Sequence, residues 1–506
     1  MPAPSHLARC APLLGLALAG CTVGPDYTRP RASAPADWSS WRSGDDSLHD
    51  ALPASEAALP KDWWRAFNDP VLDDLEARAV AGSPDLRTAA LHVAQARIQR
   101  GVTASQGLPQ VNASAGVTRQ RQSEHGASTR LLNVVTSGSG TDSDALVKLL
   151  SEPFTLYQGG LDASWEIDLW GKVRRSLEAA DADLAEQAAL LGQARLALAS
   201  DVVRTYFELR AAQRKIAMTR EDIAAFEQGT DILSAQVRHG VGTHLDLDRQ
   251  RAQLQALQAS LPELLAQEAA KTNQLTLLVG EHPGALAAVL VPVSSPVTPA
   301  LPDLVLGLPS QVALRRPDIR AAEARLHSAT AKIGVATADL YPSIRLGGGF
   351  DLESYKASSL FDWASRSWSI GPSIDLPLFD GGRRKRVVRL RELQQREAAV
   401  AYQKTVLQAW QEIDDALNGY TAERQQNGKL RARVATTRDA LDLASARYRR
   451  GATTYLDVID AQRSWLQSTR DLADSDARIA ARYAAVNMAL GNVPTTRASD
   501  LEAAQK

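Results

Sequence analysis

The chain is poor in the residues on which catalysis and covalent cross-linking depend. It has only two cysteines among 506 residues, and Phe, Trp and Tyr together make up 5% of it. One of the cysteines, Cys10, lies in a segment that we expect to be cleaved, so the mature protein has no thiol pair for a disulfide, a zinc site or redox chemistry. The eight histidines fall in no metal-binding spacing, and no phosphate-binding loop or nucleophile elbow occurs. We therefore expect no enzyme, no metal site and no cofactor.

An excess of charge of one sign is also missing. The formal net charge is −1, so the chain has no global positive field of the kind that attracts nucleic acid. Its long runs of Ala, Leu, Gln, Glu and Arg are typical of long packed helices rather than of one thick globular core. We therefore expect a mainly helical protein with no nucleic-acid partner.

The N-terminus has the features of a secretion signal. Arg9 is followed by an apolar stretch that is too short to span a membrane, and then by Leu18-Ala19-Gly20-Cys21. Small residues before a cysteine resemble a bacterial lipoprotein signal, which would make residues 1–20 the signal peptide and Cys21 the lipid-bearing first residue. An ordinary signal peptide with a nearby cysteine is the alternative. Residues 21–65, rich in Pro, Ser and Ala, are predicted to form a lipidated extended segment.

The rest of the chain is built twice. Sliding the sequence on itself without a gap places Pro84-Asp85-Leu86-Arg87 on Pro317-Asp318-Ile319-Arg320, and a shorter shift places Gly240 on Gly451. The two repeats are predicted to span residues 66–281 and 310–495, with a linker at 282–309 and a C-terminal tail at 496–506.

Each repeat contains a pair of segments in which apolar and polar residues alternate. They lie at about 108–120 and 155–170 in the first repeat and at about 342–353 and 367–379 in the second. Strands of about 9–11 residues can cross a bilayer when tilted. The alternative is a soluble β-sandwich in which one face of each sheet is exposed to water. Because open sheet edges are not tolerated in lipid, four spanning strands would require several chains to share one barrel.

Long helical patterns follow each strand pair and turn back at a glycine-containing tip. The first pattern, from Lys172 to about Gln228, would be ~85 Å long at the usual helical rise. The tips are predicted at about 229–246 and about 449–460. Apolar stripes such as Val406, Trp410 and Ile413 predict packed helical seams.

These features together resemble one family. The motifs that carry the resemblance are the signal ending at Cys21, Gly24-Pro25-Asp26-Tyr27, Trp63-Trp64, two helix–strand–strand–helix–helix repeats and two Gly…Leu-Asp tips. In that order they resemble the outer membrane factors, or TolC-like channel-tunnels, of the lipoprotein branch that serves resistance–nodulation–division efflux systems.

The resemblance implies an α+β membrane protein with long α-helical hairpins, coiled coils and four transmembrane β-strands per protomer. It implies a homotrimer whose 12-stranded β-barrel continues into a periplasmic α-barrel. The expected function is a passive exit duct in the outer membrane, anchored to outer-membrane lipid and served by a periplasmic adaptor and an inner-membrane pump. The alternatives are a lipid-anchored periplasmic coiled-coil scaffold or adaptor, and the exit duct of a type I polypeptide secretion system.

The resemblance also assigns roles to residues at the tips. It implies that Asp457 and Asp460 ring the pore constriction and that Tyr448 links to Asp246 to hold the entrance closed. The alternative is structural: Asp457 and Asp460 would be acidic residues at the N-terminus of a helix, where the helix dipole favours negative charge. The adaptor-contact tips are implied to be Gly240, Val241, Gly242, Thr243, Gly451, Ala452, Thr453 and Thr454. Thr453 stands where some members carry an arginine, so part of the family's lock is absent or made elsewhere.

Overall fold

The helices and strands follow one another twice in the same order. The structure, a computed structural model, describes residues 22–30, 38, 41–49, 61–126, 147–149, 151–292, 304, 306 and 309–494. The elements are α1 (Pro70–Gly82), α2 (Pro84–Ser105), β1 (Gln110–Gln120), β2 (Phe154–Ile167), α3 (Lys172–Arg238), α4 (His244–Leu278), α5 (Pro309–Arg315), α6 (Pro317–Ala338), β3 (Ser343–Ser354), β4 (Arg366–Asp375), α7 (Arg383–Arg449) and α8 (Tyr455–Ala489).

The duplication is visible in the element lengths. α2 and α6 each have 22 residues, α3 and α7 each have 67, and α4 and α8 each have 35. The predicted α+β fold, with long helical hairpins and four β-strands per chain, is confirmed. No described helix combines the length and the apolar character needed to cross a membrane.

The chain divides into two compact units. Unit 1 comprises Met1–Tyr27, Ile98–Asp181 and His327–Arg396, and unit 2 comprises Thr28–Arg97, Ala182–Leu326 and Glu397–Lys506. Unit 1 contains the sheet, and unit 2 contains both hairpin tips.

The sheet of unit 1 is antiparallel with strand order β1-β2-β3-β4. Its register places Leu161 opposite Phe350, and Phe350 opposite Trp368. These side chains share one face and are 43–70% exposed. The other face is polar, with Asn112 donating to Asp162 across the strands at 3.1 Å. The sheet therefore presents an apolar surface that the chain itself does not cover.

The two ends of the sheet differ. At one end, the helix end, each strand leads within a few residues to α2, α3, α6 or α7. At the other, the loop end, Gln120, Phe154, Ser354 and Arg366 lead into loops. β2 and β4 are shorter at the helix end than the sequence predicted. In β2 the reason is Asp168, which turns away to accept hydrogen bonds from the backbone N–H groups of Val173 and Arg174 at 3.1 and 3.0 Å.

The core of unit 2 consists of the predicted helical seams and an N-terminal segment. Tyr206 and Tyr420 are fully buried, and Trp63 packs with its ring centroid 6.0 Å from that of Tyr483. Residues 41–49, within the segment predicted at 21–65, lie on these helices: Arg42 donates to the amide oxygen of Asn418 at 2.5 Å. This segment therefore contributes to the packing of the long helices.

The helical region between Trp63 and β1 is interrupted. A 3₁₀ turn, Trp63–Phe67, precedes α1, and α1 ends before Ser83. Asp69 begins α1 by accepting a hydrogen bond from the Val71 N–H at 3.0 Å. Gly82 ends α1 in close contact with Gly280, and this contact leaves no room for a side chain on Gly280.

Replacing Gly280 with alanine is expected to destabilise the protein more than replacing Gly284. Both have a left-handed φ, +72° and +92°, which costs a residue with a side chain about 1–2 kcal/mol. A Cβ at Gly280 would lie 2.1 Å from the carbonyl oxygen of Gly82, whereas a Cβ at Gly284 meets nothing within 4 Å. Thermal denaturation of the detergent-purified protein, followed by circular dichroism, should give the lower midpoint for Gly280→Ala. Equal midpoints would show that the close contact adds nothing to the φ penalty.

Candidate functional site

The two hairpin tips are built by the same backbone turn. Gly240 and Gly451 have φ values of 73° and 69° and have nothing within 4 Å of an added Cβ, so the turn and not packing requires glycine. The next residue donates its N–H back into the preceding helix: Val241 to Gln236 at 3.0 Å and Ala452 to Arg447 at 2.9 Å. This is a Schellman-type helix end.

Threonine begins the returning helix at each tip. Thr243 accepts a hydrogen bond from the Asp246 N–H at 3.1 Å and donates its hydroxyl to the Asp246 carboxylate at 2.6 Å. At the second tip, the Asp457 carboxylate accepts hydrogen bonds from the Thr453 hydroxyl, the Thr454 hydroxyl and the Thr454 N–H. These hydrogen bonds hold the pKa of Asp457 below its ordinary value, and the one from Thr453 has the largest effect. The carboxylate is therefore both a helix cap and a firmly ionised group.

Asp460 lies less than one turn further along α8 and is exposed. Asp457 and Asp460 are near one face of the helix, as their spacing predicts, but they differ in their surroundings. The structure gives Asp457 the capping role that was the structural alternative. The role of the pair in a pore constriction stays a prediction.

The predicted link between Tyr448 and Asp246 is not a direct hydrogen bond. In the part of the chain that the structure describes, no hydrogen bond joins these two side chains. Burial, and secondarily the charge of Asp246, raises the pKa of Tyr448, so the two groups are close enough to interact electrostatically. The Tyr448 ring instead packs against the ring of Tyr455, with centroids 5.1 Å apart.

A different pair of residues joins the two hairpins by a hydrogen bond. The Tyr455 hydroxyl donates to the Gln250 side-chain oxygen at 2.7 Å, and the Gln250 amide donates to the Phe226 carbonyl at 3.1 Å. Gln250 is 2% exposed. Burial, with smaller effects of Tyr448 and Asp246, raises the pKa of Tyr455 to about 12, so its hydroxyl stays a donor. We call Tyr455, Gln250 and the Phe226 carbonyl the inter-hairpin latch.

The latch explains why the first tip was predicted too early. The sequence predicts this tip at about 229–246, but α3 continues to Arg238. A Cβ at Gly229 would lie 2.6 Å from the Gln250 side-chain nitrogen. Gly229 therefore lies inside a continuous helix, where it leaves room for the Gln250 side chain of α4.

Sequence reasoning missed the latch because its signal is weak. Tyr455 lies within the tip that the sequence singled out, but Gln250 is one of many glutamines in α4. The same holds for a second contact between the hairpins, in which Arg463 donates to Gln253 at 2.7 Å. Only the three-dimensional arrangement identifies these partners.

The predicted adaptor-contact residues form exposed surfaces. Val241 is 79% exposed, and Leu245 beside it is 59% exposed. At the second tip Gly451, Ala452 and Thr454 are exposed, and Thr453 is half-buried. The described residues include no group of His, Cys, Asp or Glu that could hold a metal ion.

The predicted lipidation site, Cys21, lies outside the described residues. The residues after it are attached to unit 1, since Val23 donates its N–H to the Trp170 carbonyl at 3.2 Å. Trp170 lies shortly after the end of β2. This contact holds the start of the described chain at the helix end of the sheet.

Replacing Asp457 with asparagine is expected to loosen the first turn of α8, whereas Asp460→Asn leaves it unchanged. The pKa of Asp457 is lowered in the folded protein, so its contribution to stability is present at neutral pH and is lost as the pH falls through that lowered pKa. Hydrogen exchange of the backbone amides of residues 454–458 would measure the effect. Faster exchange in both variants, or a wild-type protection factor (the exchange rate relative to that of an unstructured peptide at the same pH) that does not fall in acid, would contradict the capping role.

Comparison with known proteins identifies the family. A family model described as outer membrane efflux protein matches residues 75–281 and 308–492. Outer membrane protein OprJ of Pseudomonas aeruginosa is 33% identical over 454 residues, which cover 89% of this chain and 88% of OprJ. Cation efflux system protein CusC of Escherichia coli K12 is 29% identical over 461 residues, which cover 91% of this chain and 94% of CusC.

Solved structures agree with this assignment. The outer-membrane channel OprN superimposes with a TM-score of 0.80 at 31% identity and covers 93% of this chain and 99% of its own. The Campylobacter jejuni CmeC outer membrane channel gives a TM-score of 0.81 at 26% identity, with 93% and 95% coverage. Since these matches run through both repeats, both hairpins and the four-stranded sheet, the chain belongs to the outer membrane efflux protein family.

Proposed function

We propose that the chain is the outer-membrane exit duct of a tripartite efflux system and that three copies form one channel. The observation that carries this proposal is the sheet, whose apolar face is exposed and whose edge strands β1 and β4 have one neighbour each among the described residues. A bilayer would cover the face, and β4 of one copy pairing with β1 of the next would satisfy both edges. Three copies give twelve strands around a lumen lined by the polar face.

The second part of the proposal concerns the constriction. With three copies, Asp457 and Asp460 would place six carboxylates around the narrow end of the duct. The hydrogen bonds that lower the pKa of Asp457 support this role, because they fix the position of its carboxylate and oppose the rise in pKa that neighbouring carboxylates would cause. Such a ring would raise the local concentration of cations.

The third part concerns gating. Opening would move the second hairpin of each protomer away from the first, which would break the inter-hairpin latch. Two packings that differ by a few polar contacts per protomer are a known form of switch. The latch would therefore set the balance between closed and open states.

The exposed hairpin tips indicate where the partners in this proposal would bind. A periplasmic adaptor would contact the tips around Val241 and Gly451, and an energised inner-membrane pump, of the resistance–nodulation–division type, would supply the cargo. Lipid on Cys21 would anchor the chain to the outer membrane. The cargo would be small molecules, and the duct itself would do no chemical work.

The acidic ring is tested by single-channel recording in planar bilayers. We expect wild type to form small cation-preferring pores and Asp457→Ala/Asp460→Ala to lose most of that preference. Asp248→Ala is the matched control, because Asp248 is a 70% exposed acid on the other hairpin. Loss of selectivity in the control as well would mean that general surface charge sets the preference. A wild-type protein that stays monomeric and forms no pore would replace the duct with the periplasmic scaffold.

The latch is tested by removing single hydroxyl groups. Tyr455→Phe leaves the buried Gln250 oxygen without its donor, which costs about 1–3 kcal/mol, so we expect the open probability of the channel to rise about tenfold. Tyr448→Phe is the matched variant, and it should change the open probability little because no hydrogen bond is lost. The reverse result would assign the gate to Tyr448 and Asp246, as the family resemblance implied.

A further inference from the structure

The loop between β3 and β4 exposes three large aromatic side chains. Tyr355, Phe361 and Trp363 are 70%, 84% and 75% exposed. They lie at the loop end of the sheet, away from the helices of unit 1. Exposed aromatic rings in one short loop are unusual for a surface that meets only water. We call residues 355–366 the aromatic loop.

The aromatic loop is ordered by its own hydrogen bonds. The Ser354 and Ser359 hydroxyls are 2.9 Å apart, and the Ser365 hydroxyl donates to the Ser359 carbonyl at 2.7 Å. Short 3₁₀ turns at Ala357–Ser359 and Trp363–Ser365 fix the backbone further. The backbone that carries the three rings is therefore fixed by local hydrogen bonds.

Two cations accompany the rings. The Arg366 guanidinium carbon lies 3.4 Å from the centroid of the Trp363 ring, and the Lys356 ammonium lies 5.8 Å from that of Tyr355. A cation stacked on a ring keeps N–H groups available for an anion. The one acid inside the loop is Asp362. The loop thus combines exposed apolar rings with excess positive charge.

Arg366 also belongs to the apolar face of the sheet. As the first residue of β4 it shares a face with Trp368 and Ile370, which are 70% and 73% exposed. The apolar face therefore ends, at the loop end, in a cation that is stacked on an aromatic ring. This order, apolar surface followed by aromatic rings and cations, matches the order of hydrocarbon, interface and phosphate in a bilayer leaflet.

We propose that the aromatic loop is an anchor in the outer leaflet, with Tyr355, Phe361 and Trp363 at head-group depth and Lys356 and Arg366 binding the phosphates of anionic lipids. The inference rests on the proposed function, since it requires the sheet to cross the bilayer. It assigns a lipid site at the membrane face opposite the proposed lipid on Cys21. The channel would then be held to both leaflets by different means.

The first test measures the depth of Trp363. The full-length protein is reconstituted in phosphatidylcholine vesicles that contain brominated lipid, and the quenching of its fluorescence is compared with that of Trp363→Phe. The comparison is needed because the sequence has ten tryptophans. We expect the difference to show quenching of Trp363 by bromine near the head groups. No quenching of Trp363 in a preparation that still conducts would overturn the anchor and would leave another protein or a neighbouring copy as the partner of the loop.

The second test measures the preference for charge. Brominated phosphatidylglycerol is diluted in plain phosphatidylcholine, and quenching reports its enrichment beside the loop. We expect Lys356→Gln and Arg366→Gln each to lower that enrichment roughly fivefold, whereas Lys429→Gln, an exposed cation on α7, leaves it unchanged. Equal quenching by brominated phosphatidylcholine and phosphatidylglycerol in wild type would overturn the phosphate contacts. Bilayer conductance of each variant separates these outcomes from a failure of the channel itself.

Discussion

Backbone hydrogen bonding at the two outer strands is the constraint on which the rest of this structure depends. β1 and β4 lie at the edges of a sheet whose apolar face is exposed. In lipid each unpaired backbone group costs several kcal/mol. If the sheet lies in the bilayer, as we propose, edge pairing between copies is a condition for insertion and not an added interface. The lumen, the constriction and the gate would then exist only in the assembly.

The tips show how one set of hydrogen bonds can serve stability and charge together. Thr453 and Thr454 bind the Asp457 carboxylate, which ends the turn and begins α8. The same bonds favour the ionised form of the carboxyl group. The helix-cap and pore-ring interpretations of this residue are therefore compatible, because the cap fixes the position of the charge that a ring would use.

The sequence was sufficient where a feature repeats or has a period. The duplication, the four alternating strands and the paired glycine tips all come from regular patterns, and the structure contains each of them. The sequence was insufficient to predict contacts between individual side chains on different helices. Gly229 lies at the predicted start of the first tip, yet α3 continues past it, and this glycine lies beside the Gln250 side chain. The gate role of Tyr448 and Asp246 stays a prediction, whereas the hydrogen bond from Tyr455 to Gln250 could not be predicted, because no sequence pattern singles out Gln250 among the glutamines of α4.

The equal lengths of corresponding helices in the two repeats have a consequence for how such a chain can change. Each residue in an α-helix adds about 1.5 Å of rise and about 100° of rotation. A single deletion in α7 would therefore turn every side chain between the deletion and the second tip away from its partner on the first hairpin. A deletion of the same length in α3 and α7 would keep the two hairpins in register, whereas a deletion in one repeat alone would not. Equal helix length in the two repeats is thus a condition for the contacts between the hairpins.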